Sequence, residues 1–546
     1  MELTQETAGM TLDEQIGQTL VVGFADTTVS PEVAELIRDG HVGNVILFAR
    51  NVRDAAQLRR LTGELQAVAR AAGHRRPLLI TIDEENGVVR RLGAGTTVFP
   101  GNMALGAAGY EELTWEVARA TGRELRALGV TMNLAPVVDV NNNPANPVIG
   151  VRSFGEDPAE VASLGAAAVR GYGAAGMLTA LKHFPGHGDT AVDSHLALPT
   201  IDHDLERLER VELPPFRAGL AAGADAVMVA HIAFPCLAPD GSPGTVAPAI
   251  VRGLLREQLG FEGAVLSDCM EMDAVAGTIG VERAAVLALR AGIDLVFVSH
   301  RHDRQWAALR AIRVAVAEGM LEEEAVRRAA ERVLRLKARG PSWDSLPALG
   351  TPPPPWVGGL DHRGLAEGAY ELAVTLVRND EGLVPLRLGA DERLLVVYPR
   401  HESPLWPDDV RHPHGFFVES VRRRYPHAEA VALSTRPTAD ERGEILRRAD
   451  GAGVVVVATM NANLYEEQAE VVRDLGAAGH RVVGVAVYNP YDLLAFPELR
   501  TYVATYEYTP PALEAATRLL CGEIAPRGLL PVTLPGLYER GGTACD

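Results

Sequence analysis

Through the first two-thirds of the chain, short apolar runs rich in β-branched residues alternate with longer stretches whose apolar residues recur every three or four positions. The runs read as buried strands and the stretches as amphipathic helices. Strands are predicted at Leu20–Phe24, Val45–Phe48, Leu78–Ile82, Met132–Val138, Met177–Ala180, Ala226–Ala230, Ala264–Leu266 and Leu295–Val298. The helical period is carried by Ala55–Ala72, Glu112–Leu128, Pro158–Ala174, Leu205–Ala222, Ala284–Ala291 and Asp303–Glu318. Strand and helix alternating eight times predict an α/β fold of the (β/α)8 TIM-barrel type, with a doubly wound open sheet as the competing arrangement. Proline-rich Pro341–Gly359 then follows a long Arg- and Glu-studded helix and reads as a semi-rigid linker. Beyond it, runs near Leu394–Tyr398, Ala430–Leu433, Val454–Thr459 and Val482–Val487 predict a smaller α/β sandwich. The expected division is a barrel domain over 1–340, a linker over 341–360 and a C-terminal domain over 361–546.

Composition narrows the class. With 546 residues, 47% hydrophobic and 23% charged, the chain is an ordinary globular protein with ample core. Its 52 basic and 71 acidic side chains leave a net charge of −19, which argues against nucleic acid or an anionic membrane as partner and favours a small neutral substrate. The opening MELTQETAGM lacks the basic start and apolar core of a secretion signal, and no apolar run is long enough to span a bilayer, so a cytoplasmic setting is expected. Cys236, Cys269, Cys521 and Cys545 are scattered without metal-site spacing and are expected to be buried free thiols.

The richest local chemistry lies in Leu181–His195, LKHFPGHGDTAVDSH, a Gly-rich loop directly after a short apolar strand. Lys182 and Lys337 are the only lysines, every other basic side chain being arginine. Lys182 therefore reads as chosen for a compact ammonium donor rather than a planar guanidinium fork. In a barrel the chemistry gathers where strands end at their C-terminal side, and these ends are polar: Asp83 and Glu84, Asp139, Lys182 and His183, His231, and Asp268. One acidic residue after a strand is commonly a helix N-cap; five polar strand ends together indicate a site. Carboxylates, basic donors and histidine without a GxSxG serine motif point to glycoside cleavage rather than acyl transfer. Asp268, closing an apolar strand and followed by Cys269–Met272, is the candidate nucleophile. His195 is the candidate proton donor, with Asp193 two residues earlier to hold its imidazole. A metal fits poorly, because no HxH pair closes the first strand and Lys182 would repel a divalent ion; no cofactor is expected.

These residues resemble the bacterial β-N-acetylglucosaminidases of glycoside hydrolase family 3. KHFPGHGDTAVDSH is close to the signature of that subgroup, and Ile82–Leu92, Asn146–Pro158 and Leu266–Met272 resemble its other blocks in the expected order. The C-terminal part matches more loosely, through Asn489–Leu493 and Gly528–Gly536. The resemblance implies a retaining mechanism with Asp268 as nucleophile, His195 as acid/base and Asp193 as its partner, and sugar binding by Asp83, Arg91, Arg152, Lys182 and His183. It also implies a mobile histidine loop, for which Gly186 and Gly188 would supply freedom. One block departs: where the family reads QEGGRV, Glu84–Val89 is EENGVV, an expected loss of one glycine and one arginine near the sugar's rim. The implied substrate is a small carbohydrate containing N-acetylglucosamine, from muropeptides or chitooligosaccharides. The competing functions are a phosphorylase using the same intermediate and a non-catalytic sugar-binding protein.

Overall fold

The computed structural model describes residues 7, 9–191, 197–389, 391–400 and 415–544. The apolar runs form eight parallel strands closed into a barrel in chain order: β1 (Leu20–Val22), β2 (Asn44–Leu47), β3 (Leu79–Ile82), β4 (Met132–Asn133), β5 (Leu178–Phe184), β6 (Ala226–Val229), β7 (Ala264–Cys269) and β8 (Leu295–Val298). Closure is direct, with β1 Val21 in register with Asn44 of β2 on one side and Phe297 of β8 on the other.

Three strands differ from the sequence-based expectation in ways that bear on the site. β4 is much shorter, because Pro136 has no N–H for the ladder and regular pairing is interrupted there, continuing beside β5 only as a bridge between Val137 and Lys182. β5 is longer: Val138 N–H donates to Lys182 O and Ala230 N–H to Phe184 O, so pairing persists and Lys182 and His183 stand inside the strand. β7 likewise continues to Cys269 and includes Asp268. The expected helix Leu205–Ala222 is two, Leu205–Arg210 and Leu213–Ala221, the second beginning with prolines in its first turn.

Side chains rather than a channel fill the barrel, with Ile46, Met132, Leu266 and Phe297 among its interior layers. Val333 and Leu336 of helix Glu323–Ala338 join this cluster from the end where the strands begin. Lys337 on the same helix is buried there, its ammonium donating to Gln18 Oε1 at 2.6 Å and Gly43 O at 2.8 Å, so this end is plugged.

The C-terminal part is built on a six-stranded sheet: β9 (Thr375–Asn379), β10 (Arg393–Pro399), β11 (Glu429–Leu433), β12 (Ala452–Thr459), β13 (Val482–Ala486) and β14 (Thr501–Ala504), in the order β11-β10-β12-β13-β14-β9. All neighbours are parallel except β9, which pairs antiparallel at one edge. The proline-rich segment lies against the barrel. Gly358 N–H and the His362 ring both reach the buried carboxylate of Glu124 on helix Glu111–Ala127, which also accepts from Thr97.

Cysteine burial departs from expectation. Cys236 is exposed and Cys269 and Cys521 are half-buried, all three as free thiols; Cys545 lies outside the described residues. Among the described residues no helix is long and apolar enough to cross a membrane.

Candidate active site

The end of β3 sets the first part of the site. Asn133 of β4 clamps the next residue but one, accepting from Glu84 N–H at 3.0 Å and donating to Glu84 O at 2.8 Å. Held this way, the Glu84 carboxylate turns into the loop behind and accepts from Arg91 N–H and Leu92 N–H at 2.8 and 2.9 Å. Glu84, a candidate by its strand-end position, therefore does not line the cavity; Asp83 and Glu85 do. Burial pushes the Glu84 carboxyl up, against the pull of nearby Arg90.

Glu85 is the centre of a charge cluster that the sequence did not single out. Arg152 grips it with two parallel hydrogen bonds of 2.8 Å, and Lys182 Nζ lies 2.6 Å from Oε1. The same ammonium donates to Asp83 Oδ1 at 2.7 Å. Burial alone would raise the Glu85 carboxyl, but Arg152 and then Lys182 outweigh it and hold it well below the usual carboxylate range. Conversely Glu85 outweighs the burial of Arg152 and raises its guanidinium further. One small ammonium can sit between two carboxylates in this space, which accounts for lysine in an arginine-rich chain.

His183 completes the cluster. Its Nε2 is 3.2 Å from Arg152 Nη2, which can only donate, so Nδ1 carries the proton toward Asp139 Oδ2 at 2.7 Å. Asp139 also accepts the backbone N–H of His183 and of His187. Burial pushes Asp139 up, yet His183 and His187 together keep it below its ordinary value. His187, buried beside His183, is pushed down to about 4 and is neutral at physiological pH; its Nδ1 meets Thr190 Oγ1 at 2.8 Å.

Asp268 faces the same cavity from β7, its Oδ1 accepting the Cys269 N–H at 2.7 Å. It caps no helix, the following one starting only at Asp273 after Met272. His231 stands outside the cavity lining. Its Nε2 lies 2.9 Å from Cys269 O and its Nδ1 2.7 Å from Thr245 Oγ1, bracing the strand beside Asp268. The cavity has a volume of about 440 Å³. Asp83, Arg91, Arg152, Lys182, His183 and Asp268 all line it, over an apolar floor that includes Leu134, Met228 and Phe297. Phe48, Arg50 and His300 lie along its rim, with the Arg50 guanidinium 4.2 Å from the Phe48 ring centroid.

Asp193 and His195 lie outside the described residues. The stem leading to them is tightly held: Asn146 Nδ2 donates to His187 O and Gly188 O at 3.0 and 2.9 Å. Gly186 and Gly188 are closely packed as well: a Cβ on Gly188 would overlap the Val140 carbonyl, and one on Gly186, whose φ is 140°, would meet the Glu212 side chain. The departure at Glu84–Val89 also reads differently in three dimensions. Asn86 takes the left-handed φ of 65° that asparagine tolerates, Val88 is buried, and neither lines the cavity.

Paired acceptors and donors fixed around one carboxylate suit a polyhydroxylated ring, whose vicinal hydroxyls need such partners. Among the described residues no group of three or more His, Cys, Asp or Glu is arranged to hold a metal ion.

Residues 11–336 match the model of the glycosyl hydrolase family 3 N-terminal domain. Beta-hexosaminidase A of Pseudoalteromonas piscicida is 31% identical over an alignment of 595 positions, gaps included, covering 96% of this chain and 97% of that protein. The solved structure of a glycoside hydrolase family 3 beta-N-acetylglucosaminidase from Paenibacillus sp. str. FPU-7 superposes with a TM-score of 0.89 at 41% identity, covering 96% of this chain and 99% of that one. A fungal multi-domain family 3 beta-N-acetylglucosaminidase gives a TM-score of 0.91 at 40% identity over 97% of this chain, which spans only 62% of that longer protein.

Proposed function

Because the chain belongs to glycosyl hydrolase family 3, we propose that it is an exo-acting β-N-acetylglucosaminidase that removes terminal β-linked N-acetylglucosamine with retention of configuration. The observation that carries this reading is the sharing of one closed-ended cavity by Asp268 and the Asp83–Lys182–Glu85–Arg152–His183 cluster. Its sugar is drawn from the names of relatives aligned over nearly the whole chain.

In the proposed reaction the cluster and Arg91 hold the sugar hydroxyls, and a carboxylate oxygen of Asp268 attacks the anomeric carbon. The bond to the leaving oxygen breaks as His195, oriented by Asp193, gives that oxygen a proton. In the second half His195 takes a proton from water, the water oxygen bonds to the anomeric carbon, and Asp268 departs as carboxylate. The substrates are N-acetylglucosamine-containing fragments of cell wall or chitin, in a cytoplasmic setting. The division into a barrel domain of 1–340, a linker of 341–360 and a C-terminal domain of 361–546 belongs to the same reading. It is supported by helix Glu323–Ala338 closing the barrel before helix Leu360–Ala373 leads into the second sheet.

The test is release of aryl alcohol from the β-N-acetylglucosaminide and the β-glucoside, each with and without inorganic phosphate, with sugar products identified. Preference for the acetamido sugar and free N-acetylglucosamine in both buffers is the expected result. A sugar 1-phosphate in the phosphate arm would replace hydrolase by phosphorylase, and inactivity on both glycosides would overturn the catalytic reading.

A further inference from the structure

Glu507 lies just past β14 in the C-terminal part and is fully buried. Its carboxylate is filled by three neutral donors. Oε1 accepts from Tyr370 OH at 2.5 Å and Thr509 OH at 2.6 Å, and Oε2 accepts from the Gly101 backbone N–H of the barrel at 2.8 Å. A buried carboxylate is costly unless its oxygens are so satisfied, and burial does push this one upward. The cost is incurred at a particular spot: Gly101 is where two sugar-site loops meet.

The first loop is the turn carrying Glu85. Glu85 N–H bonds to Val89 O at 3.0 Å, Gly87 N–H bonds to Phe99 O at 3.1 Å, and Gly87 takes a φ of 57°. A Cβ at Gly87 would lie 2.7 Å from Glu507 Oε2 and 2.8 Å from Gly101 Cα, so the turn's tip rests directly on both. The second loop carries Arg152. Asn102, adjacent to the pinned Gly101, donates through Nδ2 to Arg152 O at 2.7 Å and to Val137 O at 3.3 Å. Glu507 thus stands behind both members of the Glu85–Arg152 pair, reaching one through the Gly87 turn and the other through Asn102.

We infer that Glu507 is a positioning residue for the sugar site, by which the C-terminal part sets the geometry of the Glu85–Arg152–Lys182 cluster without touching substrate. This rests on the glycosidase reading above. Loss of the carboxylate leaves Gly101 N–H unpaired and lets the Gly87 turn relax into the space, shifting the atoms that meet the sugar.

Glu507→Ala, Glu507→Gln and Tyr370→Phe are compared in the full-length protein, measuring kcat/KM on the aryl glycoside, the inhibition constant of N-acetylglucosamine and the melting temperature. Glu507→Ala is expected to lower kcat/KM and weaken N-acetylglucosamine about tenfold, the scale on which small misplacements act. Glu507→Gln rescues to within about threefold of wild type, because its amide oxygen still accepts from Gly101 while its NH2 donates to a hydroxyl. Tyr370→Phe, which removes one of the three donors, weakens the sugar by about threefold and serves alone if the alanine variant does not fold. A folded Glu507→Ala, or failing that Tyr370→Phe, with a lowered melting temperature but an unchanged inhibition constant would overturn the inference. A wild type that neither cleaves the glycoside nor binds N-acetylglucosamine would instead overturn the reading on which it rests.

Discussion

Single charged side chains decide this site, and their legibility differed residue by residue. Lys182 and Lys337 stand out as the only lysines of an arginine-rich chain, and both are buried with close acceptors. Glu85 was not legible: three acidic residues follow β3, the strand's alternation has already ended, and the Asn133 clamp that turns Glu84 away comes from another strand. Arg91 and Arg152 sit in loops where a guanidinium looks the same from sequence whether it faces water or, as here, is buried. The cluster yields a prediction with a defined sign. Glu85→Gln leaves Arg152 and Lys182 buried without their shared carboxylate and should cost about 3–5 kcal/mol at neutral pH. Because the folded Glu85 carboxyl is depressed, wild type keeps its full advantage above the unfolded value of about 4.3 and loses it as pH falls below that point. Denaturant titrations from neutral pH down to about 3 should show the gap between wild type and variant narrowing by about 1.4 kcal/mol per unit below about 4.3. A gap constant across that range would mean that Glu85 is not held low by its partners.

Elements were read well where apolar period was long and poorly where a few backbone bonds set the limits. Helix Pro158–Ala174 has the bounds that its Asp157 cap and proline start indicate. By contrast β4, broken by Pro136, and the antiparallel edge strand β9 depend on partners far away in the chain. The two glycines after β5 illustrate the same limit, since the neighbours that crowd them, Val140 and Glu212, are not placed there by local sequence. Gly188→Ala forces its new methyl group into the Val140 carbonyl, next to the Asp139 that holds His183 and His187. We expect a loss of about 1–3 kcal/mol by thermal or denaturant unfolding, together with reduced turnover. A variant as stable and active as wild type would show that the stem has slack.

At the scale of the whole molecule, the interface between barrel and sheet was invisible to sequence reasoning because its contacts, from the packing of helix Leu360–Ala373 on helix Asn102–Ala108 to single hydrogen bonds, join residues hundreds of positions apart. Besides Glu507 and Gly101, Asn141 donates to Tyr491 OH at 3.0 Å, Glu156 N–H to Pro531 O at 3.2 Å and Leu529 N–H to Ala107 O at 2.9 Å. Separating the parts would strip buried polar groups of their partners, so calorimetry should show one cooperative transition. Two resolved transitions would mean that the interface couples the parts weakly. Among the described residues, the plug of Val333, Leu336 and Lys337 beneath the barrel makes the cavity a cul-de-sac. On the glycosidase reading proposed above, a polymer could not thread through a blind end and would present only a chain terminus. On that same reading the trimmed-off sugar, deepest in, would have to wait for the remainder to vacate the entrance before it could leave.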